Sequence, residues 1–294
     1  MMFCTTSFAR TGRKVRGMAL VAVLWIVAAL SLLVVGATQS VHQQIQVAGV
    51  QGDQVRGQAA GEAALMLVLQ QLQVAQERVL GIERVDVTWQ GVPIAVEVAP
   101  LNGLVSLTDA PPELLAAVFE QAGGLPAAWA AQLALDLVLW RDTPPDLDLS
   151  VDARARGQAR GFEAVEDLLL VPGVDYDLYE RVAPLLSADL VGVRQVNPLA
   201  APPEVLHVLS RGNEAAVGNY LAQRQAGQPG ADTSAFDSAF VRESAGHLYR
   251  LRADVPLETG KILRLTQDMA LGTYARVAPW RVLRTERRIV SDRS

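Results

Sequence analysis

The sequence predicts an α+β protein: a long N-terminal helix, a sheet of hairpin-connected strands, and an all-helical insertion that interrupts the sheet. Three observations carry this. An apolar run stands directly behind a basic flank in "GRKVRGMALVAVLWIVAALSLLVVGA", residues 12–37. A proline-free, helix-compatible stretch continues from residue 38 to residue 76. Beyond it, apolar residues alternate with a period of two at 84–99 and again after 247, while the period between 110 and 190 is helical.

Bulk properties agree with a folded body. Half of the 294 residues are hydrophobic and 5% are aromatic, enough for a buried core and too apolar for general disorder. The formal net charge is −5, and without residues 1–17, which carry four basic and no acidic side chains, it falls to −9. A body this acidic is a poor partner for nucleic-acid phosphates, whose binding needs cationic neutralisation. Cys4 is the only cysteine, so no intrachain disulfide can form.

The first element is the apolar helix. Arg10, Arg13, Lys14 and Arg16 precede Gly17, and no charged residue stands after it until Asp53. Residues 18–35 are apolar except for Ser31. As a helix rising ~1.5 Å per residue they reach about 27 Å, close to the ~30 Å hydrocarbon core of a bilayer. The basic flank orients the chain with its N-terminus in the cytoplasm. Three fates are open. Val35-Gly36-Ala37 has the small residues of a secretory cut site, which would leave a chain starting at Thr38. A plain uncleaved anchor needs no further signal. The third is a cut after Gly17 that retains the helix, because Arg16-Gly17 with Met18 directly behind it resembles a type IV prepilin leader.

The stretch from residue 38 onward favours retention. Val41, Ile45, Ala48, Val55, Ala59 and Ala63 recur at spacings of three, four and seven, as on one helix face. Gly49, Gly52, Gly57 and Gly61 weigh against it, each costing about 1 kcal/mol in a helix interior. The first half of this long helix is expected in lipid, the Gln-rich 43–54 in water, and the rest against a globular body.

Past the helix, residues 84–99 form a hairpin around Gln90-Gly91. "PLNGLVSL", 100–107, turns at Asn102-Gly103 into a short third strand. Pro111 and Pro112 open a helix, where a missing N–H costs nothing. Residues 127–142 form a second helix, in which Trp129 and Trp140 are expected to pack the core. Residues 142–157 form an acidic loop, and 161–187 read as helix, turn at Pro172-Gly173, helix. "VSLTDAPPELLAAV", 105–118, aligns with "VNPLAAPPEVLHVL", 196–209, at six identities in fourteen, both strand-like approaches to a proline-started helix. Residues 213–226 are helical and 225–236 a loop. Three strands close the chain, the last ending near Arg284. The insertion in the sheet is thus roughly 80–100 residues, allowing a few residues at each boundary.

Four markers in order, "RGMALVAVLWIVAALSLL", "EDLLLVPGVDYDLYERVAPLL", "VNPLAAPPEVL" and "PWRVLR", resemble the type II secretion system minor pseudopilin K family, or general secretion pathway protein K. The resemblance covers nearly the whole chain after Thr11. It implies a pilin-like fold in which the long helix packs on an antiparallel sheet split by a helix-hairpin-helix or SAM-like insertion. The implied organisation is a leader at 1–17, a transmembrane helix at 18–36, the long helix and first strands at 37–107, the insertion at 108–192, and the second part of the pilin-like domain at 193–294.

The resemblance also implies cleavage by prepilin peptidase between Gly17 and Met18, with Lys14 and Arg16 holding the leader in the cytoplasm and Met18 N-methylated. The implied home is the bacterial inner membrane, crossed once, with the body in the periplasm. The implied work is to nucleate, with I- and J-type minor pseudopilins and other pseudopilins, the tip of a pseudopilus that exports folded proteins. Ordinary pilins carry glutamate at the position of Ala22; K-type pseudopilins lack it. A carboxylate in the bilayer core is costly unless paired, and a tip subunit has none above it to pair with.

Two sharper readings compete with bland ones. Asp142, Asp146, Asp148 and Asp152 place oxygen ligands at the close spacing that calcium needs, and the resemblance implies calcium as the one candidate cofactor. The spacing is not that of an EF-hand, the glycine of its sixth loop position is missing, and a solvated carboxylate run is the plainer reading. The 161–190 hairpin resembles a DNA-binding helix-hairpin-helix, yet it holds seven acidic residues and only Arg181 as a base, a field that repels phosphate. No enzyme signature appears: His42, His207 and His247 lack metalloprotease spacing, and there is no nucleophile elbow or phosphate loop. The runner-up to the pseudopilin is an uncleaved bitopic periplasmic scaffold, with a membrane-tethered DNA-uptake module a distant third.

Overall fold

A computed structural model describes residues 16–75, 78–142, 161–226, 231–272 and 279–291, with the side chains at 16–19 and 32–48 left out. The chain divides into two compact units, Met1–Val55 and Arg56–Ser294. Helix α1, Arg16–Val74, supplies the described part of the first and continues into the second.

In the second unit α1 is amphipathic. Ala60, Ala64, Leu65, Val68 and Leu69 are buried, a stripe at spacings of four, one, three and one. They pack against β2 (Val92–Pro100), β5 (Leu248–Pro256) and β6 (Lys261–Leu271). The glycines that weaken the helix on propensity have a use here. A Cβ built on Gly61 would lie 3.2 Å from Val255 Cγ2, and one on Gly57 would lie 2.6 Å from Leu257 Cδ2. Their bare backbone lets the helix sit close on the sheet.

With β1 (Glu83–Trp89) and β7 (Trp280–Ser291), these strands form one antiparallel sheet in the order β1-β2-β5-β6-β7. β1 and β2 meet at Gln90-Gly91, whose φ values of 50° and 83° match the type I′ turn of a tight hairpin. Alternation puts Val96, Val98, Leu251, Ala253, Val255, Leu263 and Leu265 on the face under α1. The opposite face carries charge.

Between the neighbouring strands β2 and β5 the chain makes a second core. It contains α2 (Pro112–Gln121), α3 (Ala127–Asp142), α4 (Tyr176–Val182), α5 (Pro203–Leu209) and α6 (Glu214–Gln225). Residues 101–247 therefore separate the two strands, a longer stretch than the 108–192 expected. The reason is that Val205, Leu206, Leu209, Val217 and Tyr220 are buried in the same cluster as Leu115, Phe119 and Leu137.

The expected short third strand is β3 (Val105–Ser106), which pairs in parallel with β4 (Leu186–Ser187). Two expectations are corrected. The expected helix before Pro172 is a 3-10 segment, Val165–Leu170: Val171, extended at ψ 124° ahead of Pro172, ends it after six residues. The last strand ends at Ser291 rather than near Arg284. Its arginines look like a polar tail in sequence, but an edge strand pairs on one side only and tolerates charge.

Candidate functional site

The first candidate is the apolar start of α1. Leu20, Val21, Val23, Leu24, Trp25, Ile26, Val27 and Leu30 are all exposed, Trp25 at 74% and Leu20 at 68%. So many large apolar side chains around one helix need lipid or other helices to cover them. Ser31, the one polar residue in the run, donates its hydroxyl to Val27 O at 2.8 Å and so satisfies itself within the helix. Gly17 and Met18 lie in the first turn of α1, behind Arg16; Lys14 is outside the described residues. Among the described residues no helix is long and apolar enough to cross a membrane. The side chains described within the 18–35 run are those at 20–31.

The acidic loop is the second. Asp142 ends α3 and pairs with Arg141 Nε at 3.3 Å. Asp146, Asp148 and Asp152 lie outside the described residues. Among the described residues, no group of three or more His, Cys, Asp or Glu side chains could hold a metal ion.

The hairpin around Pro172-Gly173 offers little to phosphate. Gly173 makes the turn at φ 93°. Two of its N–H groups are used within the chain: Val174 N–H goes to Val171 O, and Leu178 N–H goes to Asp175 Oδ1 at 2.8 Å, capping α4.

Sequence reading missed the outer face of the sheet. There Arg250 and Asp268, opposite one another on β5 and β6, make two hydrogen bonds of 2.7 and 2.8 Å. Arg264 and Asp254 do the same two pleat repeats away, and Arg252, between them, reaches Glu97 on β2 at 2.7 Å. A bulge in β7 pairs Asp268 with Arg284 and Met269 with Val282, so Leu283 is extra. Leu283 then packs on the helical core and Arg284 reaches Glu166 at 2.7 Å. This face floors a cleft of about 740 Å³ walled by Glu163, Tyr176, Glu180 and Asp189. Burial, and then the nearby Asp268 carboxylate, raise the pKa of Asp189. The alternation of Arg250, Arg252 and Asp254 signals a charged face in sequence, but not its partners.

A second exposed apolar surface lies on α3. Trp129, expected in the core, is 72% exposed, and Leu135 and Leu139 are exposed with it. Ala and Leu surround this helix on nearly every side, so its period could not choose a face. The buried side is Ala130, Leu133, Ala134 and Leu137, and Trp140 packs only partly.

No family model matches the chain, and no curated protein matches it in sequence. Among solved structures it is similar to a chain of the GspK-GspI-GspJ complex from the enterotoxigenic Escherichia coli Type 2 Secretion System. The TM-score is 0.50 at 17% identity, with 81% of this chain and 96% of that chain covered. The fold is pseudopilin-like. At that identity the likeness speaks for the α+β architecture alone.

Proposed function

We propose that the chain is a K-type minor pseudopilin that nucleates the tip of a type II secretion pseudopilus. The observation that carries this is the fold likeness, which takes in 96% of a chain from a complex of three such proteins. The order of the four sequence markers and the exposed apolar residues at 20–30 support it from independent directions. In this reading prepilin peptidase cuts between Gly17 and Met18, Met18 is methylated, and the 18–35 helix holds the subunit in the inner membrane before extraction. Afterwards the same apolar side chains would pack against the helices of I- and J-type partners. The 101–247 helices are the all-helical insertion of such a subunit, and Asp142, Asp146, Asp148 and Asp152 are its candidate calcium ligands.

An uncleaved bitopic scaffold accounts for the same exposed helix and remains the second reading. Co-expression with the I- and J-type minor pseudopilins of the same organism separates them. The expected result is a ternary complex that survives size-exclusion chromatography in detergent. Elution of this chain apart from both partners would contradict the proposal.

A further inference from the structure

The two proline-started helices share more than sequence. At each, two consecutive prolines remove two N–H donors from the approach to the helix. Pro111 (φ −67°, ψ 152°) and Pro202 (φ −67°, ψ 160°) hold the same extended conformation before the first turn. The residue just ahead of each pair, Ala110 or Ala201, is fully buried. Its carbonyl needs a donor that the neighbouring chain lacks.

In both places an arginine from the last turn of the second helix supplies that donor. Arg141, near the end of α3, donates Nη1–H to Ala110 O at 2.8 Å and to Leu107 O at 3.5 Å. Arg224, near the end of α6, donates Nη1–H to Ala201 O at 2.7 Å, with Pro198 O at 3.2 Å and Leu199 O at 3.4 Å. In the alignment of 105–118 with 196–209, Leu107 corresponds to Pro198 and Ala110 to Ala201. The same nitrogen thus binds equivalent carbonyls in each copy. The sequence separations differ, 31 residues in one and 23 in the other, so the contact is kept while the connecting helices change length. Each copy also turns between its helices through a left-handed glycine, Gly124 at φ 69° and Gly212 at φ 83°.

We infer that the helical part contains two copies of one unit, each an extended approach, a proline-started helix, a left-handed turn and a second helix, and that Arg141 and Arg224 are equivalent positioning residues, each locking the approach of its own unit. Arginine suits this task because its guanidinium stays charged and can share its donors among several carbonyls. The lock is local, so each unit's approach is stabilised separately. It stands on the chain's own geometry and holds whatever the chain assembles with.

Amide hydrogen exchange on the full-length chain in detergent tests it. Leu114 and Leu115 donate to Pro111 O, and Val205 and Leu206 donate to Pro202 O, so these amides report the two first turns. Arg141→Met should speed exchange at Leu114 and Leu115 by about tenfold or more, leaving Val205 and Leu206 within about twofold of wild type. Arg224→Met should do the reverse. Arg181→Met removes an arginine that donates to Gly123 O at the other end of α2 and should leave both first turns unchanged. Should a methionine variant fail to fold, the lysine variant at that position keeps charge and a donor and should speed only its own first turn, by less. Wild-type exchange at a variant's own first turn, or equal acceleration at both, would overturn the inference.

Discussion

Asp189 sits beside the Arg250–Asp268 pair, and its carboxylate accepts no hydrogen bond among the described residues. Burial and the Asp268 charge raise its pKa in the folded chain, so the charged form is penalised there relative to the unfolded chain. The penalty is therefore present above the folded pKa and disappears as pH falls through it. Asp189→Asn should raise the melting temperature near neutral pH, a gain that fades on acidification. Scanning calorimetry across pH checks this, and a variant less stable than wild type at neutral pH would refute it. Such a site is only half legible in the sequence. The alternating charges of 250–254 mark a polar face of β5, but that Asp189 comes to rest against it depends on a chain path through five helices. Trp129 fails for a different reason: size and helical spacing favour burial only when the helix has a polar side to expose.

At the scale of elements, helix α1 and the hairpin are the most legible because each has one strong local cause. The first is a long stripe without proline; the second is alternation around a Gln-Gly turn. The four glycines of α1 argue against the helix on propensity, and two of them prove to be contact points. Gly61 meets Val255 Cγ2 and Leu265 Cδ2 at 3.2 and 3.5 Å from the place of its missing Cβ. Gly61→Ala should change stability by no more than about 1 kcal/mol, the tight contact offsetting the better helix propensity. Gly61→Leu should cost about 1–3 kcal/mol by pushing the helix off the sheet. Urea unfolding of the pair measures both, and equal stabilities would show that α1 does not pack here as described. Less legible are β4 and the 3-10 segment. A two-residue strand has no period to read, and a segment that Pro172 ends after six residues is too short for its winding to show in the apolar pattern.

For the whole molecule, the pattern of local and distant dependence explains which boundaries moved. A split in the five-stranded sheet is readable, since helical periodicity lies between its two sets of strands. Where the split ends is not, because α5 and α6 join the helical core through side chains that look the same whichever core they enter. The proposed function rests on the fold likeness, and the exposed Leu, Val, Ile and Trp side chains on α1 support it. Its most direct test is the N-terminal mass of the protein extracted from membranes of cells with and without prepilin peptidase. The account predicts a chain that begins at methylated Met18 when the peptidase is present and at Met1 when it is absent. An intact Met1 in both strains, or a chain starting at Thr38, would contradict it.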